Sequence, residues 1–177
     1  YKIGDTMASA MTIPFYLDIG FSKTQIGAVV KLFGFWATVA GTLIGGMIML
    51  RLEISRSLWV FGFLQAASTA GFAVLARMGN SLPLLSTVIG FENFSSGMGT
   101  AAFIAFMASI THKRFTATQY ALLSSLMGIP RVMASAPTGF FAKNMGWVSF
   151  FIACTLMAAP GMLLLFKFAP WNPKKAG

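Results

Sequence analysis

Four ionisable side chains lie inside long apolar stretches of the sequence, namely Asp5, Lys31, Glu92 and Arg131. A charge near the centre of a bilayer costs at least ~2.5 kcal/mol even on the mildest insertion scale, so exposure to lipid is disfavoured. Two acids and two bases can neutralise one another around an internal cavity, where a carboxylate can bind and release a proton near neutral pH. We predict a proton-coupling site with Asp5 and Glu92 as its acids.

Polar neighbours extend this predicted site towards a substrate. Lys31 and Arg131 are its candidate cations, and Asn93 and Gln119 add amide groups that could pair with a charge or bind a ligand. The alternative is a set of structural ion pairs that only hold helices together. Because ionisable residues within membranes usually face a bundle interior or an aqueous path, the functional interpretation is favoured.

Small residues in the same stretches allow helices to approach closely. Gly41 and Gly45 have small-xxx-small spacing and are predicted to serve helix packing. Gly97 and Gly99 follow Glu92, where packing and substrate contact both remain open. Gly128 and Pro130 lie directly before Arg131 in the same apolar stretch. Proline frees a backbone carbonyl and permits a kink, so this pair is predicted to form a hinge.

The composition indicates which solvent surrounds the chain. Of 177 residues, 56% are hydrophobic and 10% charged, against about 25% charged in soluble domains. The net charge of +9 comes mostly from short connecting segments, where basic residues set membrane orientation rather than bind nucleic acid. With one cysteine and one histidine, no disulfide, metal site or cofactor is expected. Motifs of classical catalysis are also absent, so an enzyme is not expected.

Membrane-length apolar segments predict an all-α membrane protein. The predicted bundle covers residues 1–169, with a cytoplasmic tail at 170–177. The first segment opens on polar residues without an initiator Met, so we expect a truncated helix and a fragment of a longer protein. The six predicted transmembrane helices cover roughly residues 1–17, 25–50, 57–77, 82–110, 118–141 and 147–169.

Basic residues predict the orientation of these helices. Seven lie in the second and fourth connections and the tail, and three on the other side. By the positive-inside rule, the C-terminus is predicted to be cytoplasmic. From the predicted outer helix ends, Asp5 lies about 18 Å deep, Lys31 about 10 Å, and Glu92 and Arg131 about 15 Å.

An internal match suggests a repeat. A shift of 94 residues places Gly34 on Gly128 and Gly45 on Gly139, and a shift of 87 places Asp5 on Glu92. The matched helices would begin on opposite sides of the membrane. Three helices repeated with inverted topology are typical of each half of a major facilitator transporter. The sequence therefore predicts one such half, a 3+3 inverted repeat.

Several stretches resemble the C-terminal six-helix half of the AmpG-type muropeptide permeases, a branch of the major facilitator superfamily. They are Tyr1-Lys2-Ile3-Gly4-Asp5, Gly45-Gly46 before Arg51, Phe91-Glu92-Asn93 with Gly97-Met98-Gly99-Thr100, Arg114 to Ser124 including Gln119, and the Gly146-Trp147 turn. The 51–56 connection departs from the superfamily pattern, because it lacks an Asp-Arg pair.

The resemblance implies proton-driven import of anhydromuropeptides, GlcNAc-anhydroMurNAc with or without peptide, for cell-wall recycling. It implies a multi-pass protein of the bacterial inner membrane whose partners are the lipid bilayer, protons, the glycopeptide and an N-terminal six-helix half. Two alternatives stay open. One is a major facilitator carrier for a sugar, drug or acyl-CoA, and the other is a membrane assembly partner that transports nothing.

Overall fold

In the computed structural model, residues 3–110 and 116–168 are described, and every regular element among them is a helix. A π-helical turn, Val30–Gly34, joins α2 to α3 into one continuous helix. The α-helices are α1 Ile3–Asp18, α2 Lys23–Val29, α3 Phe35–Met49, α4 Ile54–Met78, α5 Leu82–Ile110, α6 Thr116–Ser135, α7 Thr138–Met145 and α8 Trp147–Phe168.

Of the six predicted segments, five agree with the observed helices to within about three residues. The segment 118–141 differs. The sequence predicts one helix over 118–141, but the structure breaks it between Ser135 and Thr138. Pro137 explains the break, since it has no N–H to donate and disfavours helical backbone at Ala136. Residues 128–130, predicted as a hinge, have helical backbone within α6.

Local chemistry fixes the start of α2. The Ser22 hydroxyl accepts a hydrogen bond from the Gln25 backbone N–H at 3.2 Å, and the Gln25 side chain accepts one from the Ser22 N–H at 2.9 Å. This reciprocal capping box satisfies two donors that a helix start would otherwise leave unpaired.

Three connections meet at one end of the bundle. Asn80 donates to the Gly20 carbonyl at 2.9 Å, and the Trp147 indole N–H donates to the Asp18 carboxylate at 2.5 Å. Gly20 has φ 97°, a left-handed conformation that glycine adopts without steric cost. The connections around residues 18–22, 79–81 and 146, which the sequence places on one side of the membrane, therefore do share an end.

Helix contacts form a chain of neighbours. The helix α5 packs against α3 and α4, α4 packs against α8, α8 against α1, and α1 against α6. Two apolar clusters fill the interior. The larger, at the end where the connections meet, includes Phe15, Phe72 and Phe151, and the smaller includes Leu58, Phe61 and Met98.

The outer surface of the bundle is apolar. Among the described residues, Lys23–Met49, Ile54–Met78 and Trp147–Leu165 are long and apolar enough to cross a membrane, with mean hydropathies of 1.7, 1.6 and 2.1. Only 17%, 50% and 28% of their most apolar windows are buried inside the protein. Water would not solvate so much outward apolar surface, whereas lipid does. The chain is therefore an all-α membrane protein.

Candidate proton and substrate site

Asp5 lies at a small, partly open cavity between helices. It is half-buried in the first turn of α1 and shares the cavity wall with residues of α4 and α8. The remaining lining residues are Gly62, Gln65, Ala66, Thr69 and Ala158. The cavity lies between the two apolar clusters, because Phe61 and Phe72 bracket its α4 residues. A predicted acid of α1 is thus placed at a small cavity beside the middle of α4.

Gln65 is the residue of this cavity that sequence reasoning missed. Its side chain is 3% exposed, and among the described residues neither its Nε2 nor its Oε1 has a hydrogen-bond partner. Ser68 and Thr69 cannot supply a donor, since their hydroxyls donate to the Gln65 backbone carbonyl at 2.8 and 3.0 Å. A polar amide near the centre of an apolar helix was the signal available in the sequence.

Glu92 lies on another helix, α5, and is half-buried. It interacts electrostatically with Tyr16, a buried residue of α1. This electrostatic interaction relates the second predicted acid to the helix that carries the first. The two acids are therefore associated with a common helix, although they are far apart in sequence.

Asn93 connects α5 to α3. Its Nδ2 donates to the Ile89 carbonyl at 2.8 Å, and its Oδ1 lies 3.2 Å from the Thr38 hydroxyl of α3. A Cβ on Gly34 would lie 3.4 Å from the same Nδ2, so the Asn93 amide packs against the end of the π-helical turn. Asn93 therefore holds the segment that carries Lys31.

Lys31 lies in that π-helical turn with an exposed side chain. Within the described ranges, it forms no ion pair with an acid. Single π-helical turns inside α-helices are frequent at functional sites. The exposed ammonium is available to a ligand or another protein segment, while its pairing with Asp5 or Glu92 is not part of this structure.

The remaining predicted site residues lie on α6. Gln119 is half-buried in the first turns of this helix, and Gly128 is exposed, with open space where a Cβ would lie. The side chains of Pro130 and Arg131 lie outside what the structure describes. Because α6 packs against α1, it brings the Arg131 backbone into the same bundle as Asp5.

The glycines of α3 and α5 lie where the two backbones touch. A Cβ on Gly41 would collide with the Phe94 carbonyl oxygen. One on Gly45 would lie 2.9 Å from the Met98 Cα, and one on Gly97 would lie 2.6 Å from the Thr38 carbonyl oxygen. Gly99 is also buried on α5. Close approach at the first three positions requires the absence of a side chain.

The part of the chain that the structure describes holds no group of three His, Cys, Asp or Glu residues placed to bind a metal ion. The polar groups gathered in the described part of the bundle are carboxylates, amides and hydroxyls. Such an arrangement can bind protons and hydrogen-bonding ligands.

Apolar outward faces, buried polar groups and a helical bundle define a polytopic membrane protein with an internal polar site. Comparison with known proteins narrows this class. The chain is 40% identical over 166 residues to the anhydromuropeptide permease of Escherichia coli K12, matching 93% of this chain and 34% of that protein. It is 37% identical over 167 residues to a Rickettsia prowazekii protein named as an AmpG transporter, matching 94% of this chain and 38% of that protein.

A Haemophilus influenzae protein without an assigned function is 41% identical over 177 residues, matching 96% of this chain and 42% of that protein. No family model matches the chain. The chain therefore spans between about a third and two-fifths of the length of these relatives. The resemblance to AmpG-type permeases predicted from the sequence is confirmed, and it extends over nearly the whole chain.

Proposed function

We propose that this chain forms the C-terminal six-helix half of a secondary transporter that imports anhydromuropeptides with protons across a bacterial inner membrane. The observation that carries the proposal is the 40% identity to an anhydromuropeptide permease over 93% of the chain. The apolar outer surface and the polar side chains held inside the bundle suit such a carrier. In this proposal the protein is a carrier and not an enzyme.

The pattern of helix contacts supports an inverted repeat of three helices. In such a repeat, α1 corresponds to α5, the helix formed by α2 and α3 corresponds to α6 and α7, and α4 corresponds to α8. The contact of α1 with α8 then corresponds to that of α5 with α4, and the contact of α1 with α6 to that of α5 with α3. The contact of α4 with α8 corresponds to itself. The five most extensive contacts between separate helices are thus preserved by the exchange, as a major facilitator half would require.

In this proposal the site residues divide into two groups. Asp5 and Glu92 bind the transported proton. Lys31, Arg131, Asn93 and Gln119 neutralise the acids or contact the glycopeptide, whose sugar hydroxyls and carboxylates suit cationic and amide partners. The substrate would bind between this half and an N-terminal six-helix half, so the exposed Lys31 would face the other half or the ligand. The segment Gly128–Pro130 is proposed to bend during transport.

Transport specificity tests the proposal. The full-length protein that carries this sequence is expressed in a Gram-negative strain without its own permease, and uptake of labelled GlcNAc-anhydroMurNAc, with and without peptide, is measured. A labelled sugar, a drug and an acyl-CoA serve as comparison solutes. We expect uptake of the anhydromuropeptides alone. Uptake of another solute would favour a different carrier, and a membrane-inserted protein without any uptake would favour an assembly partner.

Orientation is tested separately. In a variant without Cys154, a cysteine at Ser55 is expected to react only with membrane-permeant reagents, and one at Lys143 also with impermeant reagents. Both side chains are partly or fully exposed, so access depends on membrane side rather than burial. Reversed labelling would contradict the cytoplasmic C-terminus.

A further inference from the structure

The cavity between α1, α4 and α8 contains two buried polar atoms that the described residues leave without partners, the Nε2 and Oε1 of Gln65. A buried amide that makes no hydrogen bond is rare, because removal from water is not compensated. The cavity has room for about one water molecule. Among the lining residues that the structure describes, Asp5 is the only ionisable one.

We propose that Gln65 is a second residue of the proton-binding site and that it joins Asp5 through one buried water. The inference rests on the proposed function, because it assigns a partner to the Asp5 proton site. An amide carries a donor and an acceptor on one planar group. It can therefore donate through Nε2 towards a carboxylate and accept through Oε1 from a carboxylic acid or its water.

The protonation step is a simple transfer. A hydronium ion in the cavity gives one proton to a carboxylate oxygen of Asp5 and remains as water. In the reverse step the carboxylic acid returns the proton to this water. No other bond forms or breaks. Rotation of the Gln65 amide exchanges its donor for its acceptor, so both protonation states of Asp5 keep a hydrogen-bonded partner. The hydroxyls of Ser68 and Thr69 cannot donate to Asp5 in its place, since both donate to the Gln65 backbone carbonyl.

Other titratable groups lie on the helices that pack around this cavity, and Glu92, half-buried on α5 next to α4, is one of them. On α8, which packs against the first turn of α1, the titratable groups are the buried Cys154 and, in the last turn, Lys167. On α6 they are Tyr120 and Arg131. The cations of α4, Arg56 and Arg77, lie nine and twelve residues from Gln65, or about 14 and 18 Å along the helix. On α7, Lys143 lies at the end of the bundle where Trp147 binds Asp18.

Infrared difference spectroscopy of the purified full-length protein tests this pair directly. Acidification should produce a carboxylic acid C=O band that is missing in Asp5→Asn. In Gln65→Leu the band should persist but move to higher wavenumber, because a hydrogen bond to the carboxyl group is lost. Ser57→Ala is the matched control, since Ser57 is also fully buried on α4 with an unpartnered hydroxyl but does not line the cavity.

The outcomes separate clearly. A Gln65→Leu band at the wild-type position, or no Asp5-dependent band, would overturn the inference. Replacing sodium with choline should leave the band unchanged, and a sodium-dependent band would instead indicate a cation site. If Gln65→Leu does not fold, Gln65→Met retains the unbranched shape without the amide and decides the same question. The band reports protonation without transport, so normal uptake with an unaltered Gln65→Leu band contradicts only this inference.

Discussion

The contact between α3 and α5 and the cavity between α1, α4 and α8 are built from similar small and polar residues, yet they differ in the space they leave. At the first, Gly41 and Gly97 allow the two backbones to touch. At the second, Gly62 and Ala66 line an open space that contains Asp5 and the amide of Gln65. Small side chains can therefore close an interface or open one.

The difference lies in which groups face the small residues. Backbone carbonyls of Phe94 and Thr38 occupy the space next to the glycines of the first region. In the second region a carboxylate and an amide occupy it, and such groups retain water or a proton because their burial without partners is costly. We conclude that the first region holds the bundle together and that the second can carry chemistry.

The largest expected effect is an overpacked contact between α3 and α5. Gly41→Ala should lower the free energy of unfolding by about 3 kcal/mol, because its methyl group would collide with the Phe94 carbonyl. Unfolding by detergent titration, followed by circular dichroism, measures the change.

Gly46→Ala is the matched control on the same helix, since a Cβ there meets nothing within 4 Å. It should leave stability unchanged or raise it slightly, as alanine favours helices over glycine. Equal stability of the two variants would contradict the close contact.

An intermediate effect is expected at the cavity. Thr69→Val keeps the side-chain shape but removes the buried hydroxyl that donates to the Gln65 carbonyl at 3.0 Å. The loss of one such hydrogen bond should cost about 1 kcal/mol. Thr87→Val removes the equivalent bond, 2.9 Å to Pro83, at an exposed position of α5, and should cost less. The same unfolding titration compares the two, and a larger loss for Thr87→Val would show that the cavity is not the more demanding environment.

The smallest effect should come from the polar bridge across α3 and α5. Thr38→Val removes the hydroxyl that donates to the Gly34 carbonyl at 2.9 Å within the helix and also lies 3.2 Å from Asn93 Oδ1 of α5. Hydrogen bonds between membrane helices are worth about 0.6 kcal/mol on average. Thr42→Val, one turn further, removes a hydroxyl bonded within α3 alone. Thr38→Val should therefore cost about 0.6 kcal/mol more than Thr42→Val in the same assay. An equal loss of unfolding free energy in the two variants would show that the contact between Thr38 and Asn93 does not stabilise the protein.

The sequence predicts the helices well because membrane-length apolar runs and a capping box are local signals. The 25–50 and 82–110 segments agree with their helices to within two residues, and Ser22 with Gln25, which have capping-box spacing in the sequence, form the box. The break before Thr138 was not predicted, although Pro137 marks it. A proline in an apolar run either kinks a helix or ends it, and the sequence alone does not distinguish these outcomes.

The candidate site depends on contacts that no local pattern encodes. Asp5 was identified because a charge in an apolar run is unusual, whereas Gln65 is neutral and its importance follows from its position opposite Asp5. The depth estimates make Lys31 and Arg131 candidate partners of the acids, but depth does not specify the direction of a side chain, and that of Lys31 is exposed. Residue type thus indicates candidates, and tertiary packing decides which of them meet.

The central claim is that the acids of this bundle couple solute movement to protons. In proteoliposomes containing the full-length protein, an inwardly directed proton gradient should drive accumulation of labelled anhydromuropeptide. Asp5→Asn or Glu92→Gln, which preserve shape but remove the titratable proton, should abolish this accumulation in at least one case and leave downhill exchange measurable. Normal protein yield with normal gradient-driven accumulation in both variants would contradict the claim.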